Sequence, residues 1–283
     1  MNVILAKTAG FCFGVDKAVN TVYEEIKNND GTVYTYGPII HNEIVVSELT
    51  RLGVRVINSK EELDNIKTGT VIIRSHGVSR DVRKSLDREG IKVVDATCPF
   101  VAKIHRIVEK YSSEGYKVII AGNREHPEVT GIKGWVNGEC FIIDSAEELN
   151  NIVIEEGERA VLVAQTTYNY QKFKEFVEIL RKMNYSIEVC NTVCSATEER
   201  QSEALSIAQK VDAMIVIGDK HSSNSRKLYD ICRSECKRTY FIETIVDLEP
   251  QPFQLFSDVG ITAGASTPKK LIEEVQNYVR SKF

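Results

Sequence analysis

Long apolar runs and clusters of basic residues are both missing from this sequence of 283 residues. No run approaches the roughly 20 apolar residues that cross a bilayer, so we expect no membrane-spanning helix. Lys and Arg are dispersed and the formal net charge is −4, which argues against a surface for nucleic acid. The N-terminal stretch MNVILAKTAGFCFG has no basic lead, so we expect no signal peptide and a cytoplasmic protein.

The sequence also lacks several motifs that would assign a cofactor. No GxGxxG follows a predicted strand, which gives a nicotinamide cofactor little support. The stretch GITAGAST is rich in glycine but lacks the GKS or GKT ending of a phosphate-binding P-loop. No Cx3Cx2C triplet is present, so radical use of S-adenosylmethionine is not indicated.

Short runs rich in Val and Ile recur along the chain and predict buried strands. These runs span residues 32–36, 71–75, 117–122, 160–165, 213–218 and 258–264, with MNVIL, VRVI, KVVD, GECFIID and SIEVC as further strands. Helical patterns separate them, at residues 14–27, 43–52, 79–89, 99–113, 170–183, 195–210, 224–236 and 268–281. Strands that alternate with helices predict βαβ units, and therefore an α/β fold with mainly parallel sheets.

Three of the seven cysteines occupy equivalent places in this pattern, each before a predicted helix. They are Cys12, Cys98 and Cys194, and successive members lie 86 and 96 residues apart. This spacing is about one small domain, so we predict three similar α/β domains over residues 1–96, 97–192 and 193–283. A helix N-terminus favours a thiolate, because the helix dipole and the free N–H groups stabilise negative charge.

Polar side chains follow each of the six main strands. In parallel sheets, ligands bind beyond the carboxyl ends of the strands. Two such ends fall in each predicted domain, so three domains around a common centre would direct these side chains at one small polar ligand. The residues concerned are His41, His76, His126, Glu128, Thr166, Thr167, Ser222, Ser223, Asn224 and Ser266.

The cysteines also have other interpretations. A buried cysteine is usually a small hydrophobic residue, and we expect this of Cys140 and Cys190. The pairs Cys190/Cys194 and Cys232/Cys236 leave open a four-thiolate zinc site, although their spacing is wider than that of zinc knuckles. An odd number of cysteines in a reducing compartment favours free thiols or metal ligands over disulfides.

Three thiolates are one short of the four that usually hold a [4Fe–4S] cluster. A cluster held by only three thiolates leaves one iron open for a substrate. This iron can act as a Lewis acid and can deliver electrons. His, Ser and Asn donors suit a phosphorylated substrate, and Glu128 is the one carboxylate among them, which makes it the natural proton source.

Two other functions are compatible with the sequence, and some of the polar residues also fit ordinary structural roles. A non-catalytic iron–sulfur redox sensor would need the cysteines but not the polar set, and a zinc hydrolase of phosphoesters would be colourless. We expect His105, inside a helix, and His221 to be structural, and residues 222–224 also fit a helix N-cap.

At these residues the sequence resembles the LytB family of 4-hydroxy-3-methylbut-2-enyl diphosphate reductases. The resemblance covers nearly the whole chain. The motifs that carry it are AGFCFGVDKA, YGPIIHN, RSHGV, DATCPFVAKIH, HPEVTGIKG, QTTY, NTVCSATEERQ, SSNS and TAGAST. One departure is Lys17, which stands where many members of the family carry Arg.

The resemblance implies three α/β domains in a pseudo-threefold trefoil around one [4Fe–4S] cluster with an open iron. It implies Cys12, Cys98 and Cys194 as the cluster ligands and Glu128 as the proton donor. It implies reductive dehydroxylation of an allylic alcohol diphosphate, with ferredoxin or flavodoxin as electron donor. The implied substrate-binding residues are His41, His76, His126, Thr166, Ser222, Ser223, Asn224 and Ser266.

Overall fold

The computed structural model describes residues 1–183, 186–248 and 256–282, in which strands and helices alternate. The strands are β1 (Asn2–Leu5), β2 (Val33–Tyr36), β3 (Arg55–Ile57), β4 (Gly69–Ile73), β5 (Ile91–Asp95), β6 (Lys117–Ala121), β7 (Cys140–Ile143), β8 (Ala160–Ala164), β9 (Ile187–Val189), β10 (Ala213–Ile217), β11 (Thr239–Ile242) and β12 (Asp258–Ala263). The helices are α1 (Phe13–Asn28), α2 (Glu43–Arg51), α3 (Lys60–Asp64), α4 (Arg80–Leu86), α5 (Pro99–Ser113), α6 (Pro127–Lys133), α7 (Ala146–Asn150), α8 (Tyr170–Lys182), α9 (Ser195–Ala208), α10 (Ser223–Glu235) and α11 (Lys269–Lys282), with a 3-10 helix at Ile245–Leu248.

These strands form three sheets of four parallel strands each. Across the first sheet the order is β3-β2-β4-β5, across the second β7-β6-β8-β9, and across the third β11-β10-β12-β1. All neighbouring pairs are parallel. The predicted α/β class with parallel sheets is therefore confirmed, whereas the trefoil arrangement stays a prediction.

The strands and helices predicted from the sequence are also present, with ends that agree within a few residues. The elements that the sequence did not predict are β11, the three short helices α3, α6 and α7, and the 3-10 helix. Helices α3 and α7 have only five residues, too few to show a 3.6-residue period, and α6 contains Pro127 and Gly131, which favour a loop in a sequence pattern. Ser59 and Ser145 cap two of them by accepting a backbone N–H of the first turn.

Contacts divide the chain into two compact units. The terminal unit contains residues 1–16 and 41–45 and the described part of 195–282, and it holds the third sheet. The central unit contains residues 17–40 and the described part of 46–194, and it holds the first and second sheets. The predicted domain boundaries at residues 96 and 192 stay a prediction.

The N-terminal strand belongs to the last sheet. Strand β1 pairs with β12, so that Asn2 lies opposite Asp258 and Leu5 opposite Ile261. Residues 2–5 therefore complete the sheet formed by residues 213–263, and not the sheet formed by residues 33–95.

The second sheet shows why these strands read as continuous apolar runs. All five residues of β8 are buried, because apolar side chains cover both faces of the sheet. On one face Ile119 and Leu162 pack with Phe173 and Phe176 of α8. On the other face, residues of the same strands pack with α5 and α6 in a cluster that includes Val118, Ile120, Val161, Val163, Ile104 and Val108.

Among the described residues, no helix combines the length and the apolar character that a membrane span requires.

We predict that Leu162→Ala lowers the free energy of unfolding by about 2–5 kcal/mol, because Leu162 is fully buried in β8. The matched control is Leu52→Ala, since Leu52 is 51% exposed and its loss should change stability by no more than about 0.5 kcal/mol. Urea unfolding followed by circular dichroism measures both variants. Equal midpoints would contradict the description of this core.

Candidate functional site

The predicted polar residues follow the two inner strands of each sheet. His76 follows β4, Thr166 follows β8 and Ser266 follows β12. Beside these strands lie β2, β6 and β10, which are followed by His41, His126 with Glu128, and Ser222 to Asn224. The same two places are therefore used in all three sheets, as the sequence predicts.

The three cysteines follow a third equivalent strand, the edge strand beside the second inner strand. Cys98 follows β5, Cys194 follows β9 and Cys12 follows β1. In each case the backbone N–H of the cysteine donates to a carbonyl in the loop after the neighbouring inner strand. The acceptors are Ser75 O (2.9 Å), Thr166 O (3.0 Å) and Ala265 O (3.2 Å), respectively. Each cysteine is thus held to its own sheet by the same hydrogen bond.

The other four cysteines have different surroundings, although none of the seven, all of which lie in the described part of the chain, forms a disulfide. Cys232 and Cys236 are buried in the terminal unit, where both sulfurs lie within reach of backbone carbonyls. Burial raises the pKa of Cys232 to about 12 and that of Cys140 to about 11, which opposes formation of a thiolate. The expectation of a core position for Cys140 and Cys190 is only half right, because both are partly exposed at the border of a hydrophobic cluster.

Glu128 and Thr166 are joined by two short hydrogen bonds in the central unit. The Glu128 carboxylate accepts the Thr166 backbone N–H at 2.6 Å and the Thr166 hydroxyl at 2.8 Å. Glu128 is only 1% exposed, and this burial raises its pKa to about 7 although both hydrogen bonds act to lower it. The carboxyl group can therefore take up or release a proton near neutral pH.

His126 and His76 lie beside this pair in the central unit. His126 caps α6 through Nδ1, which accepts the Glu128 backbone N–H at 3.1 Å. The other ring nitrogen then carries the proton in the neutral imidazole. The His76 ring meets the His126 ring edge to face, with centroids 5.4 Å apart. The short helix α6 thus brings His126 and Glu128 together, with His76 against them.

The remaining predicted polar residues lie in the terminal unit. Ser222 caps α10 and its oxygen also accepts the Ser225 hydroxyl at 3.0 Å. The Ser266 hydroxyl lies 3.5 Å from that oxygen and donates to the His41 carbonyl at 2.9 Å. Asn224 is 4% exposed, and its side-chain nitrogen and oxygen are both buried without a hydrogen-bond partner. An unpaired buried amide is costly, and a polar ligand would satisfy it.

Two residues that hold the loops of the terminal unit in place were not predicted from the sequence. Arg200 is 3% exposed and donates to two carbonyls, Gly10 O at 2.9 Å and Ala263 O at 2.7 Å. It thereby ties the loop before Cys12 to the end of β12. Ser225 is fully buried, and a Cβ at Gly264 would lie 2.0 Å from its hydroxyl oxygen. Neither contact could be read from the sequence, because the partners are distant along the chain.

The two histidines expected to be structural differ from each other. His105 is buried and stacks on Trp135 with ring centroids 5.4 Å apart, which confirms that it is part of the core. His221 is exposed, and its backbone N–H donates to the Asp219 carboxylate at 2.7 Å.

Fold and site together define an α/β protein with three equivalent sheets, whose cysteines and polar residues lie beyond the carboxyl ends of parallel strands. The family model of the LytB protein matches residues 3–280, and the chain belongs to this family. The chain is 43% identical over 282 residues to the 4-hydroxy-3-methylbut-2-enyl diphosphate reductase of Caldanaerobacter subterraneus subsp. tengcongensis, covering 99% of this chain and 97% of that protein. To the reductase of that name from Clostridioides difficile it is 41% identical, covering 99% of this chain and all of the relative.

Two solved structures are similar in fold. The E-1-hydroxy-2-methyl-but-2-enyl-4-diphosphate reductase of Plasmodium falciparum superposes with a TM-score of 0.92 at 28% identity, over 98% of this chain and 87% of that one. An (E)-4-hydroxy-3-methyl-but-2-enyl diphosphate reductase, described as the terminal enzyme of the non-mevalonate pathway, gives a TM-score of 0.71 at 42% identity, over 99% of both chains.

We predict that Thr166→Val raises the pKa of Glu128 above its value of about 7. The lost hydroxyl hydrogen bond stabilises the charged carboxylate, so its removal favours the neutral acid. A pH titration of the carboxyl signal in glutamate-labelled protein, read by carbon NMR, measures this shift. In the control Thr167→Val the pKa should not move, because that hydroxyl accepts from Gln165. A lower pKa in Thr166→Val would contradict the assignment.

Proposed function

We propose that this chain is a 4-hydroxy-3-methylbut-2-enyl diphosphate reductase. It converts the allylic alcohol diphosphate to isopentenyl and dimethylallyl diphosphates and water, using two electrons and two protons, in the last step of the non-mevalonate isoprenoid pathway. Membership of the LytB family and relatives of that name along nearly the full chain support this function. The observation that carries it is Glu128, a buried carboxyl group with a pKa of about 7 beside His126 and Thr166.

The cofactor that these residues would hold is one [4Fe–4S] cluster, which when bound would supply electrons and one iron open to act as a Lewis acid. The ligands are Cys12, Cys98 and Cys194. Their partly exposed thiols and their shared hydrogen bond to the neighbouring strand loop fit such a group. Cys232 fits it poorly, since burial holds its thiol in the protonated form.

The diphosphate is held by neutral donors and histidines, chiefly His41, His76, Ser222, Asn224 and Ser266, with Ser223 and His126 at the same strand ends. The unpaired buried amide of Asn224 supports this role, because a phosphate oxygen can accept its N–H. A histidine near its ordinary pKa of about 6.5 adds positive charge at little energetic cost. The site therefore needs no P-loop lysine.

Glu128 donates the proton that turns the substrate hydroxyl into leaving water. Its raised pKa keeps a large fraction of the carboxyl groups protonated at neutral pH. Thr166 keeps the acid in place with two hydrogen bonds, while its own carbonyl binds the Cys194 N–H. One residue thus fixes both the proton donor and a cluster ligand.

The electrons come from ferredoxin or flavodoxin, and the protein works in the cytoplasm, where thiols stay reduced. The odd number of cysteines, seven, supports this location, because it favours thiols or metal ligands over disulfides.

We predict that Cys12→Ser, Cys98→Ser and Cys194→Ser each lose the cluster and the activity. Cys140→Ser, Cys190→Ser, Cys232→Ser and Cys236→Ser should keep both and serve as matched controls. Iron counted per chain and an absorption spectrum after anaerobic reconstitution measure the outcome. A colourless wild type that binds zinc would support the hydrolase alternative instead. Loss of iron from Cys232→Ser, with iron retained in Cys12→Ser, would overturn the ligand set.

We predict that Glu128→Gln binds the substrate but turns it over about 10²–10⁴ times more slowly, because the amide has no ionisable proton. Single-turnover product formation and substrate affinity, measured on the same reduced sample, separate the two effects. The control Glu125→Gln removes a neighbouring exposed carboxylate and should behave like the wild type. Near-normal turnover of Glu128→Gln would remove Glu128 from the proton path.

A further inference from the structure

His105 is a buried histidine that the mechanism above does not use. It lies in α5 two helical turns after Cys98, and only 7% of it is exposed. Its imidazole stacks on the Trp135 indole with the ring planes inclined by 16°. That indole is itself fixed, because Nε1 donates to the Val78 carbonyl at 2.8 Å. The imidazole plane is therefore set by its surroundings.

The imidazole fills the space beneath the loop that carries His76. Gly77 follows His76 with φ +69°, and a Cβ there would lie 2.6 Å from His105 Cε1. A Cβ at Gly131 of α6 would lie 3.6 Å from His105 Nε2 and equally far from the His76 carbonyl oxygen. His105 therefore lies close to the His76 loop and to the helix that carries His126 and Glu128.

His105 makes these contacts as a neutral ring. Burial lowers its pKa to about 4, and its buried Nε2 has no hydrogen-bond partner. It therefore acts here neither as a charge nor through a hydrogen bond of Nε2. Its contribution is the shape and position of a flat ring between two glycines that leave room for it.

We propose that His105 is a positioning residue, whose ring supports the His76–Gly77 loop and sets the edge-to-face contact between His76 and His126. This proposal rests on the proposed function, because the proposed function assigns His76 to diphosphate binding. Removal of the ring lets the His76–Gly77 loop move into the space that the ring filled. A small displacement of the His76 side chain then weakens diphosphate binding.

The test is the affinity of the anaerobically reconstituted protein for inorganic diphosphate, measured by calorimetry. His105→Ala should bind about tenfold more weakly or worse, with iron content unchanged. In a His76→Ala background the same substitution should change the affinity less than about twofold, because residues that act through one another are not additive. A purely structural role would weaken binding by the same factor in both backgrounds.

The control variant is Val108→Ala, one turn further along α5, which removes fully buried apolar atoms from the cluster around Ile120 and Val163. It should lower the melting temperature and leave diphosphate affinity unchanged. Equal losses in the two backgrounds, or unchanged binding by His105→Ala, would overturn the positioning role. If the wild type itself binds no diphosphate, the proposed function fails and this inference falls with it.

Discussion

Parallel strand pairing is the constraint on which the rest of this structure depends. Because all strands of a parallel sheet run the same way, their following loops emerge at one edge. Each sheet thereby collects two polar loops and one cysteine loop at the same edge. The backbone hydrogen bond from Cys98, Cys194 or Cys12 to the adjacent inner-strand loop repeats this geometry three times. The chemistry of the site is thus a consequence of sheet topology and not of one continuous motif.

Burial gives the polar residues their properties. Glu128 in water would be ionised at neutral pH, and desolvation in the central unit moves its pKa to about 7. Two hydrogen bonds from Thr166 oppose this shift, so the final value reflects a balance between the two effects. Burial has a different effect on Asn224. Its amide is shielded from water, and no protein group in the described structure takes the place of the lost hydrogen bonds.

The elements were predictable from the sequence wherever the pattern is long. Strands such as β8 are continuous apolar runs, and helices of thirteen residues or more show a clear period, so both were found. The equivalence of Cys12, Cys98 and Cys194 was also visible, since it needs only the order of strands and helices. Helix α6 was not predicted because its seven residues include Pro127 and Gly131, which favour a loop in a sequence pattern. The contacts of Arg200 were missed because they join residues far apart in sequence, which only the folded chain brings together.

The pairing of β1 with β12 has a consequence for how the protein is made. The strands of the first and second sheets are close in sequence, so each sheet can assemble soon after its own segment leaves the ribosome. The third sheet must wait, because residues 2–5 find their partner only at residues 258–261. Strand β1 is therefore made long before its partner strand, and the backbone N–H of Cys12 has no Ala265 carbonyl to bind until that residue has been synthesised. Contacts of such long sequence separation form slowly, so the third sheet should be the slowest of the three sheets to form.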